Sequence, residues 1–195
     1  MSRPIAKNVR IIVSALAGAA LGTTVVAADS YTIDPQHTYP HFEASHHGFS
    51  THRGRFNKSS GKIVLDRTAG TGSVDIVIDA TTLDTGLELM EKVLKDENYF
   101  NVAVHPTITF RSDRLRFDGE KLAAVEGPLT LLGVTRPVTL TVTHFKCGLN
   151  PVRKREACGA DAITSIRRSE FGMKGGLPGV GDEVRLLIQV EAFKD

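Results

Sequence analysis

Five of the seven histidines in this 195-residue chain fall between His37 and His52: His37, His41, His46, His47 and His52. Imidazole binds zinc and copper, so this density raises metal chemistry and, with it, a metal-dependent hydrolase using the His37–His52 cluster. Strand parity argues the other way. His37 and His41 share a parity but flank Pro40, His46 and His47 point to opposite faces, and His52 lies beyond Gly48. No two stand at i and i+2, the simplest chelating pair on a sheet, so neither a metal nor another cofactor is expected. Other sources of catalysis are thin. There is no Gly-x-Ser-x-Gly, and the glycine-rich stretch Gly172-Met-Lys-Gly-Gly-Leu-Pro-Gly-Val-Gly181 lacks the Gly-Lys-Ser/Thr of a phosphate loop. The residue set points to a protein that is not an enzyme.

Cys147 and Cys158 enclose ten residues, including Gly148 and Asn150-Pro151, between strand-like flanks. A disulfide across the base of a hairpin fits better than a metal pair, which needs further ligands, or a redox pair, which sits two residues apart. Closing so short a loop contributes about 2–3 kcal/mol. Basic residues collect as Arg153-Lys154-Arg155 inside that hairpin and as Arg167-Arg168 after the next strand. They read either as solvated loop charge or as a positive rim for an anionic headgroup.

Strands must position these residues. Val74, Ile76 and Ile78 alternate with polar neighbours, as do Ile108 and Phe110, then Val138, Leu140, Val142 and His144, then Val184, Leu186, Ile188, Val190 and Ala192. Weaker strands fit 30–34, 40–47, 53–65, 120–132 and 158–166. One helix interrupts: Thr85-Gly-Leu-Glu88 reads as a capping box, with Leu87, Met90, Val93 and Leu94 as one apolar stripe covering the wall or a mouth. The pattern predicts an all-β domain with one or two short helices, an eight-stranded antiparallel up-and-down barrel, with a two-sheet sandwich as the alternative. Its interior face would hold Phe42, Ala44, Phe56, Val74, Ile76, Ile78, Ile108, Phe110, Leu140, Val142, Leu186, Ile188 and Val190, with His46 and His144 as polar exceptions. Such a barrel is either filled by side chains or hollow for one ligand, and the pattern alone leaves both open. A hollow one would suit an isoprenoid or acyl chain, at about 0.8 kcal/mol per buried CH2.

The chain carries 24 Lys+Arg against 22 Asp+Glu, too balanced for a general nucleic-acid binder. Arg3, Lys7 and Arg10 precede an apolar run to Val26, and Val26-Ala27-Ala28 offers small residues for a signal-peptidase cut. Residues 1–28 therefore read as a cleaved Sec-type signal peptide, and residues 29–195 as one exported domain, in a periplasm or outside the cell, where disulfides persist. Removing three bases leaves 21 against 22 acids, a net charge of −1.

A series of motifs runs through the chain: Asp34-Pro-Gln-His37-Thr, Phe42, His46-His-Gly48, Arg53-Gly-Arg-Phe56, Leu83-Asp-Thr-Gly86, Tyr99-Phe100 and His105-Pro-Thr-Ile-Thr-Phe110. It continues through Gly133-Val-Thr-Arg-Pro-Val-Thr-Leu140, Arg168-Ser-Glu-Phe171-Gly172 and Val180-Gly-Asp-Glu-Val184. In their order and spacing, from about Tyr31 to Phe193, the chain resembles the YceI-like family of periplasmic, lipocalin-like proteins. The resemblance implies a barrel with an elongated apolar pore and, as ligand, a polyprenol, an isoprenoid quinone or a fatty-acid derivative. It places His37 and His46 at the pore entrance and Phe171 with the pore-lining set. It also allows transient membrane contact and a homodimer. Where members carry a charged helix and a His before Gly-Val-Thr, this chain has the greasier Leu87–Leu94 segment and Leu132, which implies a more apolar lid or a different ligand.

Overall fold

The computed structural model describes residues 28–195, so the expected signal segment, Ala28 apart, lies outside the described residues. The strands are β1 (Asp29–Ile33), β2 (Tyr39–His46), β3 (Ser50–Phe56), β4 (Ser59–Asp66), β5 (Thr71–Asp79) and β6 (Leu83–Asp84). Helix α1 (Glu88–Lys95) follows, then β7 (Thr107–Ser112), β8 (Arg114–Asp118), β9 (Lys121–Leu131), β10 (Val134–Leu149), β11 (Glu156–Arg167) and β12 (Val180–Lys194). All pairings are antiparallel, and β1 closes the ring on β12. The twelve segments make eight strand lines, because β1/β2, β3/β4, β5/β6 and β7/β8 are interrupted strands that share neighbours. For instance, β12 pairs with β1 through Ala192–Lys194 and with β2 through Val180–Gln189. The expected eight-stranded up-and-down barrel is present, with a single α-helix.

The interruptions have local causes. Between β1 and β2, the Asp34 carboxylate accepts from the Gln36 amide at 3.0 Å and pairs with His37 Nδ1 at 2.7 Å, folding Asp34-Pro35-Gln36 into a turn. The span 53–65, read as one strand, breaks at Asn57-Lys58, whose amides go to the Thr82 carbonyl and hydroxyl instead of a ladder. Between β7 and β8, the Ser112 hydroxyl donates to the Glu126 carbonyl at 2.7 Å and accepts from the Arg114 amide at 3.0 Å.

The helix begins later than its capping box predicts. Leu87 is the N-cap and makes no side-chain cap bond, while Glu91 reaches back to the Thr85 amide at 2.9 Å. Its apolar stripe is not core packing as a whole: Leu94 packs against the barrel core, whereas Leu87 and Val93 are exposed, as is Leu89 beside them. Strand directions place α1, the β2–β3 hairpin, the β9–β10 turn and the 168–179 loop at one end of the barrel. The β10–β11 hairpin lies at the other end, with Cys147 directly opposite Cys158 and a disulfide between them.

Candidate functional site

The inward-facing rows enclose a cavity of about 220 Å³. It extends from Leu65, Phe145 and Cys158 near the disulfide to Leu94, Tyr99, Phe100 and Met173 at the helix end. Of the residues predicted to face the interior, Phe42, Ala44, Phe56, Val74, Ile76, Ile78, Ile108, Phe110, Leu140, Val142, Leu186, Ile188 and Val190 all line it. Period-2 alternation brings them together, since the strands are antiparallel and registered residue against residue.

Phe42, Phe56 and Phe100 form an aromatic group in the wall, with ring centroids 5.4 to 5.9 Å apart. Phe42 owes its position to the residue opposite it. It pairs with Gly54 across β2–β3, and a Cβ at Gly54 would come within 2.4 Å of the Phe42 ring. The ring therefore lies over bare backbone, which is why Arg53-Gly54-Arg55-Phe56 needs its glycine.

Three residues expected at the pore sit elsewhere. His37 is exposed and serves the Asp34 turn. Burial tends to raise the Asp34 pKa, but hydrogen bonds from His37 and the Gln36 amide hold it below the usual range, and the same bond holds His37 above its own. His46 stacks on His52 at 4.0 Å and meets His47 edge-on at 4.6 Å, at the tip of the β2–β3 hairpin. Burial, then the neighbouring His52 and His47, lower its pKa. Among the described residues, no group of three His, Cys, Asp or Glu is placed to hold a metal ion. Phe171 is 1% exposed and belongs to the packed core beside the cavity rather than to its lining.

His144 was expected to face inward by parity. A register shift between Val142 and His144 reverses the alternation, so His144 is exposed and Phe145 takes the interior place. The two basic groups do not form one rim. Arg155 immediately precedes the 12-residue β11 and Arg167 is its last residue, so they stand at opposite ends of the barrel. Arg153 and Arg155 lie over the Phe193 ring, at 5.8 and 5.7 Å. Arg168 is buried.

Parity reasoning also missed the helix-end lining of Tyr99 and Phe100, which comes from the irregular segment after α1. It likewise missed Ala160 and Ala162, whose small size leaves room in the cavity. The wall is almost wholly apolar, a lining suited to burying hydrocarbon.

A family model described as YceI-like domain matches residues 31–192. Protein YceI of Escherichia coli O157:H7 is 34% identical over 174 residues, covering 88% of this chain and 90% of that protein. The crystal structure of BcnA from Burkholderia cenocepacia superposes with a TM-score of 0.70 at 23% identity, covering 82% of this chain and 98% of BcnA. A polyisoprenoid binding domain from Saccharophagus degradans superposes with a TM-score of 0.62 at 18% identity, covering 85% and 98%.

Proposed function

This chain belongs to the YceI-like domain family, and on that premise we propose that it is a periplasmic binding and carrier protein for one amphiphilic isoprenoid-type lipid. The lipid would be a polyprenol, an isoprenoid quinone or a fatty-acid derivative held in the barrel. The observation that carries this reading is the cavity, walled by aliphatic and phenylalanine side chains from every strand line. The resemblance to a polyisoprenoid binding domain supports it. The basic, then apolar, then small-residue N-terminus supports export. The disulfide suits an oxidising compartment. A filled interaction barrel is less well supported, given the cavity. A metal hydrolase is less well supported too, because His46, His47 and His52 pack on one another while His37 pairs with Asp34 and His41 with the Tyr39 carbonyl.

Native mass spectrometry of protein taken from the periplasm tests the proposal. The expected result is one lipid per chain, removed by organic extraction and restored by added polyprenol or quinone. Bare protein that takes up neither would overturn it.

Phe49, Leu87, Leu89, Val93 and Val104 are large, exposed apolar residues at the helix end, where the cavity reaches Leu94 and Tyr99. In this proposal that end touches the membrane while lipid passes. Phe49→Glu with Leu89→Glu is expected to slow transfer of a fluorescent polyprenol from anionic vesicles about tenfold while leaving its equilibrium affinity unchanged. An unchanged transfer rate would remove the membrane contact from the proposal.

A further inference from the structure

We infer that Arg168 is the headgroup contact of the cavity, and that the favoured ligand carries an anionic oxygen head, a carboxylate or phosphate monoester, at the helix end of the barrel. The inference rests on the lipid-binding reading above and narrows it to one class of head.

Arg168 is only 3% exposed, yet it lines the cavity. Its guanidinium donates from Nε to the Gly181 carbonyl at 2.8 Å, from Nη1 to Met173 at 3.2 Å and from Nη2 to Val180 at 2.9 Å. A guanidinium has five N–H donors, so two are left without a protein acceptor. The three carbonyls fix the orientation of the fork but neutralise no charge. Among the described residues, no carboxylate lies within ion-pair distance of it. The nearby Asp182 carboxylate favours the charged guanidinium through space but makes no ion pair with it, accepting instead from the Ser169 amide at 2.9 Å and hydroxyl at 2.8 Å.

Burial disfavours the charged form of Arg168, but arginine does not give up its proton in a protein. A buried cation against hydrocarbon, with donors to spare and no carboxylate in contact with it, is incompletely balanced. An oxyanion arriving on an apolar chain balances it with charge-assisted hydrogen bonds, and the fork matches the two oxygens of a carboxylate or phosphate. Tyr99 adds a second donor at this end. It lines the cavity, its ring lies against Gly175 and Gly176, and its hydroxyl has no hydrogen-bond partner among the described residues. The rest of the wall offers almost nothing polar. Thr38, deep in the barrel, exchanges its hydroxyl with the backbone of Glu191.

The test uses the delipidated chain and four ligands with one tail: palmitate, hexadecyl phosphate, hexadecanol and methyl palmitate. The two anions are expected to bind about tenfold or more tighter than the alcohol and the ester. In Arg168→Gln that preference should vanish, whatever affinity is lost by all four ligands alike. Arg168 also ties down the 173–181 segment, so a second measurement on the unaltered protein keeps the assignment open to refutation. The carboxyl of carbon-13-labelled palmitate, followed by NMR, should titrate below its free value when bound, because the guanidinium opposes protonation. Burial in hydrocarbon alone would move it upward. Equal affinities for all four ligands, an upward shift, or a preference that survives Arg168→Gln each overturns the inference. If none of the four binds, it is the lipid-binding reading itself that fails.

Discussion

Ala162→Phe is expected to weaken lipid binding by at least about a hundredfold while leaving the melting temperature unchanged or higher. Ala162 is 6% exposed and stands between Val142 on β10 and Ile188 on β12. Ala160, two residues earlier, stands between Phe145 and Val190, and all of these residues line the cavity. The inward row of β11 therefore includes Cys158, Ala160 and Ala162, and the two alanines face larger side chains on both neighbouring strands. Such a row leaves a void where a solid barrel would place a leucine or phenylalanine. In a filled core, the added ring would overpack and destabilise by about 1–3 kcal/mol. In a hollow one, it occupies space meant for the ligand and gains contacts of its own. Melting curves and a titration with a fluorescent polyprenol check both halves. A fall in stability with binding retained would show that the barrel is packed at this level and that the lipid sits elsewhere.

Much of this architecture could be read directly from period-2 alternation. Rows such as Val74-Ile76-Ile78 and Leu186-Ile188-Val190 face inward because regular strands turn successive side chains to opposite faces, and all of them line the cavity. Parity fails where the strand is irregular. The shift after Val142 exchanges His144 for Phe145, a bulge with no composition cue nearby. The His46–His52 stack escaped for a related reason. The residues lie on different strands and meet diagonally across a hairpin, since His46 pairs with Ser50 and His52 with Ala44. Spacing within one strand says nothing about such a pair. Arg168 is the clearest case. Its neighbour Arg167 is exposed, and the dipeptide read as loop charge or as part of a positive rim, whereas only the 3₁₀ turn over Arg168–Phe171 turns the second guanidinium inward. The helix shows the converse failure. Its stripe was visible, but a stripe does not say how much of it the fold will cover, and here Leu94 alone reaches the cavity.

Gly127→Ala should cost stability on the order of 3 kcal/mol, although it adds one methyl group to a residue type that strands ordinarily disfavour. Gly127 sits on β9 opposite Val138, where the neighbouring line passes from β7 to β8. A Cβ there would lie 1.9 Å from the Arg111 carbonyl oxygen, and backbone cannot step aside as a flexible side chain can. The strands approach this closely because the barrel has to coil to close, and the Ser112 hydroxyl fixes the crossing by bridging Glu126 and Arg114. Gly148→Ala serves as the control. It also lies in a strand, but an added Cβ meets nothing within 4 Å, so a change within about 0.5 kcal/mol is expected. Urea unfolding of the two variants checks the contrast, and equal midpoints would refute it. The consequence for the ligand follows from position. Two residues beyond Gly127, Leu129 pairs with Phe110, and both line the cavity. Gly127→Ala should therefore lose lipid only as it loses the fold, in proportion to the unfolded fraction. Ala162→Phe should lose lipid with the fold intact, and measured together the two variants separate the integrity of the wall from the space it encloses.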